Sequence, residues 1–445
     1  MKLTVFPGFS LNGEVSADIP GDKSISHRAA LFAALAVGKS RIDNFQVSGV
    51  TRPMLLALSS LGVDWQLDSH TLTVSGKGLT GLKSPDSPID CGNSATTLRL
   101  LTGAIAAAGI SAVLDGSAGL RRRPMERIVE PLRQMGVILD PSLQGTAPLI
   151  LHARSTDSTL VSLHYTLPVA SAQVKSCLLL AGLAAKGTST LSEPGPSRDH
   201  TERMLSSMGV QINAYPEEAQ FVVKMTPPDP LRLTPLNLSI PGDPSAAAFL
   251  IVAALICPGS ALSIKGICLN STRTGLLDAL ISMGARITIH NQHLAAGEPV
   301  GDLAVEYGKL HGTVIDGPLV VRMIDEFPAL SIAAACAQGT TEVRGAAELR
   351  LKESDRISTL AGELRKLGVA IEEHPDGFTL QGGCLKGGEV QAHGDHRLAM
   401  SLAVAGFAAD APISVQGAEC INESFPGFTD TLQKLGAKQR IEESD

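Results

Sequence analysis

Aromatic side chains are scarce in this 445-residue chain, of which only 3% is Phe, Trp or Tyr. Hydrophobic residues nevertheless make up 44%, so the core must be built from Leu, Ile, Val, Ala and Met. Positive charge is not in excess, because the formal net charge is −7. That balance argues against broad binding to nucleic acid or to a membrane surface. Small anions can still bind at local clusters of Arg and Lys.

Paired cysteines and long apolar runs are also lacking. The seven cysteines are scattered, no two form a CxxC pair, and their number is odd, which indicates free thiols in a reducing compartment. No His/Cys/Asp spacing matches a metal site. No apolar run reaches the roughly 18 residues of a membrane helix, and residues 1–10 lack signal-peptide character. We therefore expect a cytoplasmic protein without a metal, a membrane or a nucleic-acid partner. A monomer is the expected oligomeric state.

One short pattern occurs six times: a helical stretch ends in Leu or Met, then Gly, then Val or Ala. Its glycines follow one another at intervals of 68 to 84 residues, at Gly62, Gly136, Gly209, Gly284, Gly368 and Gly436. A glycine after the last apolar position lets a helix end in the left-handed conformation. Six such helix ends predict one α/β unit of alternating strands and helices used six times.

A second repeat divides the chain into halves. Pro20-Gly21-Asp22 recurs as Pro241-Gly242-Asp243, and each copy leads into an Ala-rich helix. This predicts one lobe of residues 21–240 and another of 1–20 with 241–445, three units each, with a hinge near Gly21 and Gly242. Both glycines can also be read simply as turns that precede a helix.

The two copies differ in charge at the start of that helix. Lys23 and Arg28 correspond to Pro244 and Phe249 in the other half, whereas Ser24 corresponds to Ser245. Ser24 and Arg28 are four residues apart and share one helix face, and a helix N-terminus favours an anion. The first copy therefore reads as an anion site, although a solvated first turn remains an alternative and Ser24 can be a helix cap.

Further polar clusters precede other predicted helices. The strings 92–99, 121–125, 171–176 and 197–201 supply hydroxyl, amide and guanidinium groups, with Asn93 a predicted cap and Pro131 predicted to start or kink its helix. In the second half, Asp325 and Glu353 lie near cations in the sequence, including Lys352, Arg356 and Arg397. Carboxylates among cations are suited to proton transfer on an anionic substrate, and a cleft between the halves is expected to hold it. Capping and solvation are the alternatives for each cluster.

Eight strings, in order along nearly the whole chain, resemble those of the 5-enolpyruvylshikimate-3-phosphate synthase family. They are PGDKSISHRA at 20–29, GNSATTLR at 92–99, RRRPM at 121–125, SAQVKS at 171–176, SRDHTERM at 197–204, IDEFP at 324–328, KESDR at 352–356 and GDHRLAM at 394–400. The resemblance implies a two-lobed inside-out α/β barrel of six βαβαββ repeats. It also implies transfer of enolpyruvyl from phosphoenolpyruvate to shikimate 3-phosphate, through a tetrahedral intermediate and without a cofactor.

The resemblance also implies roles for individual residues. The shikimate 3-phosphate contacts are Lys23, Ser24, Arg28, Ser171, Ala172, Gln173, Arg198, Asp325 and Lys352. The phosphoenolpyruvate contacts are Lys23, Ala95, Arg123, Gln173, Arg356 and Arg397. Asp325 is expected to accept the proton of the attacking hydroxyl, and Glu353 with Lys23 to deliver a proton to the methylene carbon.

Three positions differ from residues that other members of the family carry. Ala95 replaces a glycine and is expected to make the enzyme tolerant of glyphosate, which would be only a weak inhibitor. Glu423 replaces a lysine near the C-terminus, and Val50 replaces an acidic residue.

Two other functions remain as alternatives. The sister enzyme that acts on UDP-N-acetylglucosamine shares the fold, but its loop cysteine has no counterpart in residues 116–124. A non-catalytic anion-binding module would have no use for Asp325 and Glu353 beside an anion.

Overall fold

The computed structural model describes residues 1–16, 18–155 and 157–443, which form two compact units. The first unit comprises residues 1–22, 241–294 and 299–445, and the second comprises residues 23–240 with 295–298. The turn at 295–298 thus belongs to the second unit although both of its flanking segments belong to the first. The predicted hinge at Gly21 and Gly242 stays a prediction.

The described residues form thirteen α-helices, six in the second unit and seven in the first. Those of the second unit are α1 (Lys23–Leu35), α2 (Arg52–Ser60), α3 (Ala95–Ala108), α4 (Glu126–Gln134), α5 (Ala172–Gly182) and α6 (His200–Ser207). Those of the first unit are α7 (Pro244–Ile256), α8 (Gly275–Ser282), α9 (Pro318–Arg322), α10 (Phe327–Ala335), α11 (Arg356–Lys366), α12 (His396–Ala405) and α13 (Phe428–Lys434).

The second unit has three four-stranded sheets and one two-stranded sheet among its described residues. In spatial order, the first sheet is β16 (Asn237–Ser239), β3 (Val37–Asp43), β5 (Thr71–Lys77) and β4 (Asp64–Asp68). The second is β6 (Ile89–Asp90), β7 (Ala112–Asp115), β9 (Leu149–Leu151) and β8 (Leu139–Asp140). The third is β11 (His164–Thr166), β13 (Ser189–Glu193), β15 (Gln220–Thr226) and β14 (Gln211–Glu217), and the small sheet pairs β10 (Leu160–Val161) with β12 (Ala185–Lys186).

The first unit has three four-stranded sheets of the same form. They are β18 (Arg286–Ala295), β19 (Glu298–Glu306), β17 (Ala261–Cys268) and β2 (Asn12–Val15); then β20 (Val314–Ile315), β21 (Thr340–Val343), β23 (Gly377–Gln381) and β22 (Ala370–His374); then β24 (Gly388–Gln391), β25 (Ile413–Gln416), β1 (Lys2–Val5) and β26 (Gln439–Glu442). Six four-stranded sheets match the six predicted repeats.

Every repeat has the same pairing. Its first two strands are parallel, as in β6 and β7, where Ile89 faces Leu114, and the next strand is antiparallel, as in β7 and β9. A parallel pair needs a crossover, which a helix supplies. Each repeat therefore has the four strands of the βαβαββ unit that the resemblance implies. The strand–helix alternation of the sequence alone predicts only three, because it does not show the hairpin that closes the repeat.

The helix ends follow the sequence pattern. All six repeat glycines have positive φ, from 80° at Gly62 to 103° at Gly436, a region that favours glycine. One local prediction was wrong. Ser94, not Asn93, caps α3, since its side chain accepts from the N–H of Thr97. Pro131 does not start α4, which begins five residues earlier, so of the two predicted roles only a kink inside the helix stays a prediction.

Apolar helices fill the cores. Helix α7 is buried along nearly its whole length, as are α10 and α12, which pack around it. In the second unit, α3 and α5 approach so closely that a Cβ on Gly103 would lie 2.2 Å from the carbonyl oxygen of Cys177. None of the helices in the described part of the chain is long and apolar enough to cross a membrane.

Candidate active site

In the second unit, Arg28 is fixed by neighbours from three helices. Its side chain is 2% exposed. Nε donates to Thr201 Oγ1 and Nη2 to Ser176 Oγ, both at 2.7 Å, and Nη1 donates to the Ser24 carbonyl at 3.0 Å. The last contact confirms that residues 24 and 28 share a helix face. Arg198 reaches the same turn, because its Nη1 donates to Ser24 Oγ at 3.3 Å.

Gln173 lies beside the start of α3. Its Nε2 donates to Thr96 Oγ1 at 2.9 Å, and its Oε1 accepts from Arg99 Nη1 at 2.5 Å. Arg99 also donates to the Pro124 carbonyl at 2.8 Å. These bonds bring the amide of Gln173 close to Ala95, the first residue of α3. Sequence analysis assigned no role to Arg99, although it closes the string 92–99.

Ser171 occupies the N-cap position of α5, with Ala172 as the first helical residue, yet its hydroxyl makes no side-chain cap bond. Capping therefore does not explain this serine, and its hydroxyl is not committed to the helix.

Arg121, in the three-arginine loop, already has a carboxylate partner. Its Nε and Nη2 donate to the two oxygens of Asp115 at 2.9 and 2.5 Å. This hydrogen bond lowers the pKa of Asp115. The protein itself therefore supplies a counter-charge for Arg121, one of the three consecutive arginines at 121–123.

His27 is a residue that sequence reasoning missed, even though it stands inside the string 20–29. Its Nδ1 lies 2.8 Å from the Lys23 carbonyl oxygen, and its Nε2 lies 2.9 Å from that of Val50 and 3.3 Å from Ser94 Oγ. Burial, assisted by the charges of Lys23 and Arg28 and opposed by the two backbone contacts, lowers the pKa of His27 to about 4. The ring is thus neutral at pH 7 and joins the start of α1 to the cap of α3.

A buried ion triad lies beneath the string 171–176. Lys175 Nζ is 2.7 Å from carboxylate oxygens of both Glu193 and Glu202, and Glu193 also accepts from the N–H and hydroxyl of Ser197. Burial alone would lower the pKa of Lys175, but the two carboxylates raise it above its ordinary value. The triad fixes the segment that precedes Arg198.

Residues 199, 200 and 298, all in the second unit, form a group that sequence spacing did not reveal. Potential ligand atoms of Asp199, His200 and Glu298 lie within 4.8 Å of one another. His200 Nδ1 is 2.7 Å from Glu298 Oε1, and Arg203 Nε donates to Asp199 Oδ2 at 2.8 Å. Because a guanidinium already offsets these carboxylates, the arrangement is that of an ion network.

In the first unit, Arg356 is held among three carboxylates and is 2% exposed. Nε donates to Asp395 Oδ2 at 2.8 Å, Nη2 donates to Glu353 Oε2 at 2.7 Å, and Nη1 lies 3.4 Å from Asp325 Oδ1. Burial would lower the pKa of Arg356, but these carboxylates raise it. Burial likewise opposes the charged form of Asp395, yet Arg356 keeps the pKa of that carboxyl below its usual range.

Asp325 is surrounded by cations. Lys352 Nζ is 3.6 Å from its Oδ1, and Arg397 Nη2 is 3.9 Å from its Oδ2. Arg397 Nη1 also donates to the Asp325 carbonyl at 3.2 Å. Lys352 lies before α11, in extended backbone, so it reaches Asp325 from outside the helix that begins at Arg356. All five site residues predicted in this half are therefore close together.

Asp395 connects this cluster to its scaffold. It caps α12 by accepting from the N–H groups of Arg397 and Leu398, and it binds Arg356. The place of Asp395 two residues before Arg397 was the signal in the sequence that could have identified it as a site residue. Glu423, at the position of the replaced lysine, lies 3.7 Å from His396 Nδ1.

Six α/β repeats, with the buried cations Arg356 and Arg397 in the first turns of two helices and carboxylates around them, are the framework of an enzyme for small anionic substrates. Comparison with known proteins makes this specific. The model of the family described as EPSP synthase (3-phosphoshikimate 1-carboxyvinyltransferase) matches residues 6–432. The chain belongs to the EPSP synthase family.

Curated relatives carry the same name. The 3-phosphoshikimate 1-carboxyvinyltransferase of Roseiflexus castenholzii is 47% identical over 422 residues, covering 94% of this chain and 96% of that protein. That of Xanthomonas campestris is 47% identical over 430 residues, covering 96% of each. A solved EPSP synthase from Acinetobacter baumannii superposes with a TM-score of 0.86 at 38% identity, covering 99% of this chain and 100% of that one.

Proposed function

We propose that this chain transfers the enolpyruvyl group of phosphoenolpyruvate to the 5-hydroxyl of shikimate 3-phosphate and releases phosphate, in the shikimate pathway to aromatic amino acids. The reaction is an addition followed by an elimination, through a tetrahedral intermediate, and it calls on no metal or organic cofactor. The observation that carries the proposal is the cluster of Asp325 and Glu353 with Lys352, Arg356 and Arg397.

Shikimate 3-phosphate needs cations and hydroxyl donors, which the residues around α1, α5 and α6 provide. Support comes from the contacts among Ser24, Arg28 and Arg198, because they fix two guanidinium groups before any ligand arrives. Preorganised donors bind an anion without reordering themselves. The other proposed contacts are Lys23, Ser171, Ala172, Gln173, Asp325 and Lys352.

Phosphoenolpyruvate carries a phosphate and a carboxylate, for which arginine pairs are suited because guanidinium binds either group in a bidentate manner. Arg123, Arg356 and Arg397 are the proposed arginines, with Lys23, Gln173 and the backbone at Ala95. Arg356 already binds Asp395 and Glu353, so its orientation is set by protein carboxylates.

Asp325 is the proposed base for the 5-hydroxyl. Three cations lie within 4 Å of its carboxylate, and cations at that distance favour the ionised form that accepts a proton. Glu353, with Lys23, is proposed to protonate the methylene carbon and later to remove a proton in the elimination. The carboxylates of Asp325 and Glu353 both contact Arg356, which fixes the distance between them.

The direct test is phosphate release from phosphoenolpyruvate, measured with and without shikimate 3-phosphate. Release is expected only with both substrates, and not when UDP-N-acetylglucosamine replaces shikimate 3-phosphate. Asp325→Asn should reduce kcat by about 10²–10⁴-fold, the usual contribution of a general base, while shikimate 3-phosphate still binds in calorimetry. Asp316→Asn, at an exposed carboxylate of the same unit, is the matched control. Full activity of Asp325→Asn would reject the assigned base, and no phosphate release by the unaltered chain would reject the function.

Three finer properties belong to the same proposal. Glyphosate is a weak inhibitor because the methyl group of Ala95 crowds it. The enzyme is a monomer. It works in the cytoplasm, which is supported by its seven cysteines, all of which are free thiols.

A further inference from the structure

A second buried charge network lies in the first unit, beside the cluster just described. Arg273 is at its centre and is 2% exposed. Its Nη1 donates to Asp22 Oδ2 at 2.5 Å, and its Nη2 donates to Asp243 Oδ1 at 3.0 Å. These aspartates are the last residues of the two Pro-Gly-Asp copies, so the duplicated motif converges on one arginine.

The two copies also bind each other through their backbones. Asp22 N–H donates to the Pro241 carbonyl at 2.8 Å, and Asp243 N–H donates to the Pro20 carbonyl at 2.9 Å. Burial would lower the pKa of Arg273, but Asp22, Asp243 and Glu326 hold it well above its ordinary value. Arg273 therefore stays charged and keeps a fixed position.

Ser245 extends this network toward Glu326. Its hydroxyl accepts from Arg273 Nη2 at 2.9 Å and donates to Glu326 Oε1 in a short hydrogen bond. The hydroxyl is not a cap, because Asp243 already caps α7 by accepting from the Ser245 N–H. Ser245 corresponds in the repeat to Ser24, whose hydroxyl accepts from Arg198 instead, so the two serines have different partners.

Glu326 follows the proposed base Asp325 and lies near Arg397. Its Oε1 is 3.7 Å from Arg397 Nη1, which is beyond hydrogen-bonding distance. The Glu326 side chain is buried, and its Oε2 has no hydrogen-bond partner among the described residues. A buried carboxylate needs a charged partner or donors, and the Arg397 guanidinium, 3.7 Å from Oε1, is a charged group close enough to take the place of the Ser245 hydroxyl.

We propose that Glu326 is a positioning residue which Ser245 and Arg273 hold at a distance from Arg397, so that the Arg397 guanidinium stays available to the anionic substrate. The inference rests on the proposed function, because Arg397 is assigned there to phosphoenolpyruvate. If the hydroxyl of Ser245 is lost, Glu326 draws Arg397 into a hydrogen-bonded ion pair that competes with the substrate.

The test is a double-variant cycle on Ser245→Ala and Glu326→Gln, with KM measured separately for each substrate. Ser245→Ala is expected to raise the KM for phosphoenolpyruvate about five- to twenty-fold, which lies within the range of coupling between residues in contact, with little change in the KM for shikimate 3-phosphate. Adding Glu326→Gln removes the competing charge, so the double variant should return to within about twofold of the original KM.

Ser331→Ala is the matched control. Ser331 is a buried serine on α10 whose hydroxyl donates only to the Phe327 carbonyl, so its removal should not change either KM. Thermal melting of each variant separates misfolding from a change in substrate binding.

An unchanged KM for phosphoenolpyruvate in Ser245→Ala overturns the inference. So does a double variant that is as impaired as Ser245→Ala or more so, because a purely structural role predicts damage that accumulates. Both outcomes require that the unaltered chain releases phosphate when it is given the two substrates. They are therefore distinct from a failure of the proposed function, in which the unaltered chain has no activity.

Discussion

Acidification should destabilise the second unit through one buried imidazole, that of His27. The ring lies between the carbonyl oxygens of Lys23 and Val50, beside Ser94. Burial lowers the pKa of His27 from 6.5 to about 4. The unfolded chain therefore binds a proton at this residue as the pH falls below 6.5, whereas the folded chain does not until the pH approaches 4.

The sign and size of this pH effect follow from the difference in proton binding between the folded and unfolded chains. Between pH 6.5 and 4 the unfolded state binds more protons, so the free energy of unfolding falls as the pH falls. The contribution of His27 is fully present above pH 6.5. At about 1.36 kcal/mol per pH unit, its loss is about 2 kcal/mol at pH 5 and approaches about 3 kcal/mol below pH 4.

Urea unfolding from pH 7.5 to 4 measures this effect. The single Trp, Trp65, lies in β4 of the same unit, and its indole N–H donates to Ser59 Oγ at 2.8 Å, so its fluorescence reports unfolding there. His27→Gln is expected to be less stable at pH 7.5 but to lose about 2 kcal/mol less than the original chain between pH 7 and pH 5. His164→Gln, at an exposed histidine of the same unit, should follow the original curve. Parallel pH curves for His27→Gln and the original chain would refute the reasoning.

Two further changes test the second unit. Lys175→Met leaves Glu193 and Glu202 buried without their cation and should lower the free energy of unfolding by about 3–5 kcal/mol. The control Lys186→Met, at an exposed lysine, should change the free energy of unfolding by less than about 0.5 kcal/mol. Equal effects of the two variants in urea titrations would contradict the role of the triad. Ala95→Gly removes the methyl group of a residue that is 2% exposed. It should lower the inhibition constant of glyphosate about tenfold or more, the value of one methyl group in a pocket. An unchanged inhibition constant would show that Ala95 does not cause tolerance.

The repeat architecture could be predicted because its signals are local. Each glycine that ends a helix needs positive φ in its own backbone, and the requirement is visible in the sequence wherever the helix stops. The extra strand of each repeat was missed by the periodicity alone, since strands such as β8 and β6 are only two residues long. Caps were misassigned for a similar reason: Asn93 and Ser94 are adjacent and both are good caps, and only the backbone geometry chooses Ser94.

The sequence allowed most residues of the candidate site to be predicted, but few of the contacts between them. Arg356 and Arg397 stood out as cations at helix starts, and the structure places both at Asp325. Asp395 and His27 were overlooked because their partners are distant in sequence: Asp395 binds a guanidinium 39 residues away, and His27 contacts Val50 and Ser94. Nothing in the local pattern distinguishes such a residue from an ordinary cap or a polar helical position.

By itself the sequence determined six repeats, two halves and which residue types could bind an anion, because backbone conformation and side-chain chemistry are properties of short segments. Only the tertiary structure decided which charges meet. In the folded chain Arg121 pairs with Asp115, Arg273 binds both Asp22 and Asp243, and Arg397 lies just outside hydrogen-bonding distance of Glu326. The physical reason is that an ion pair depends on the distance between two side chains, and folding sets that distance through packing over the whole unit.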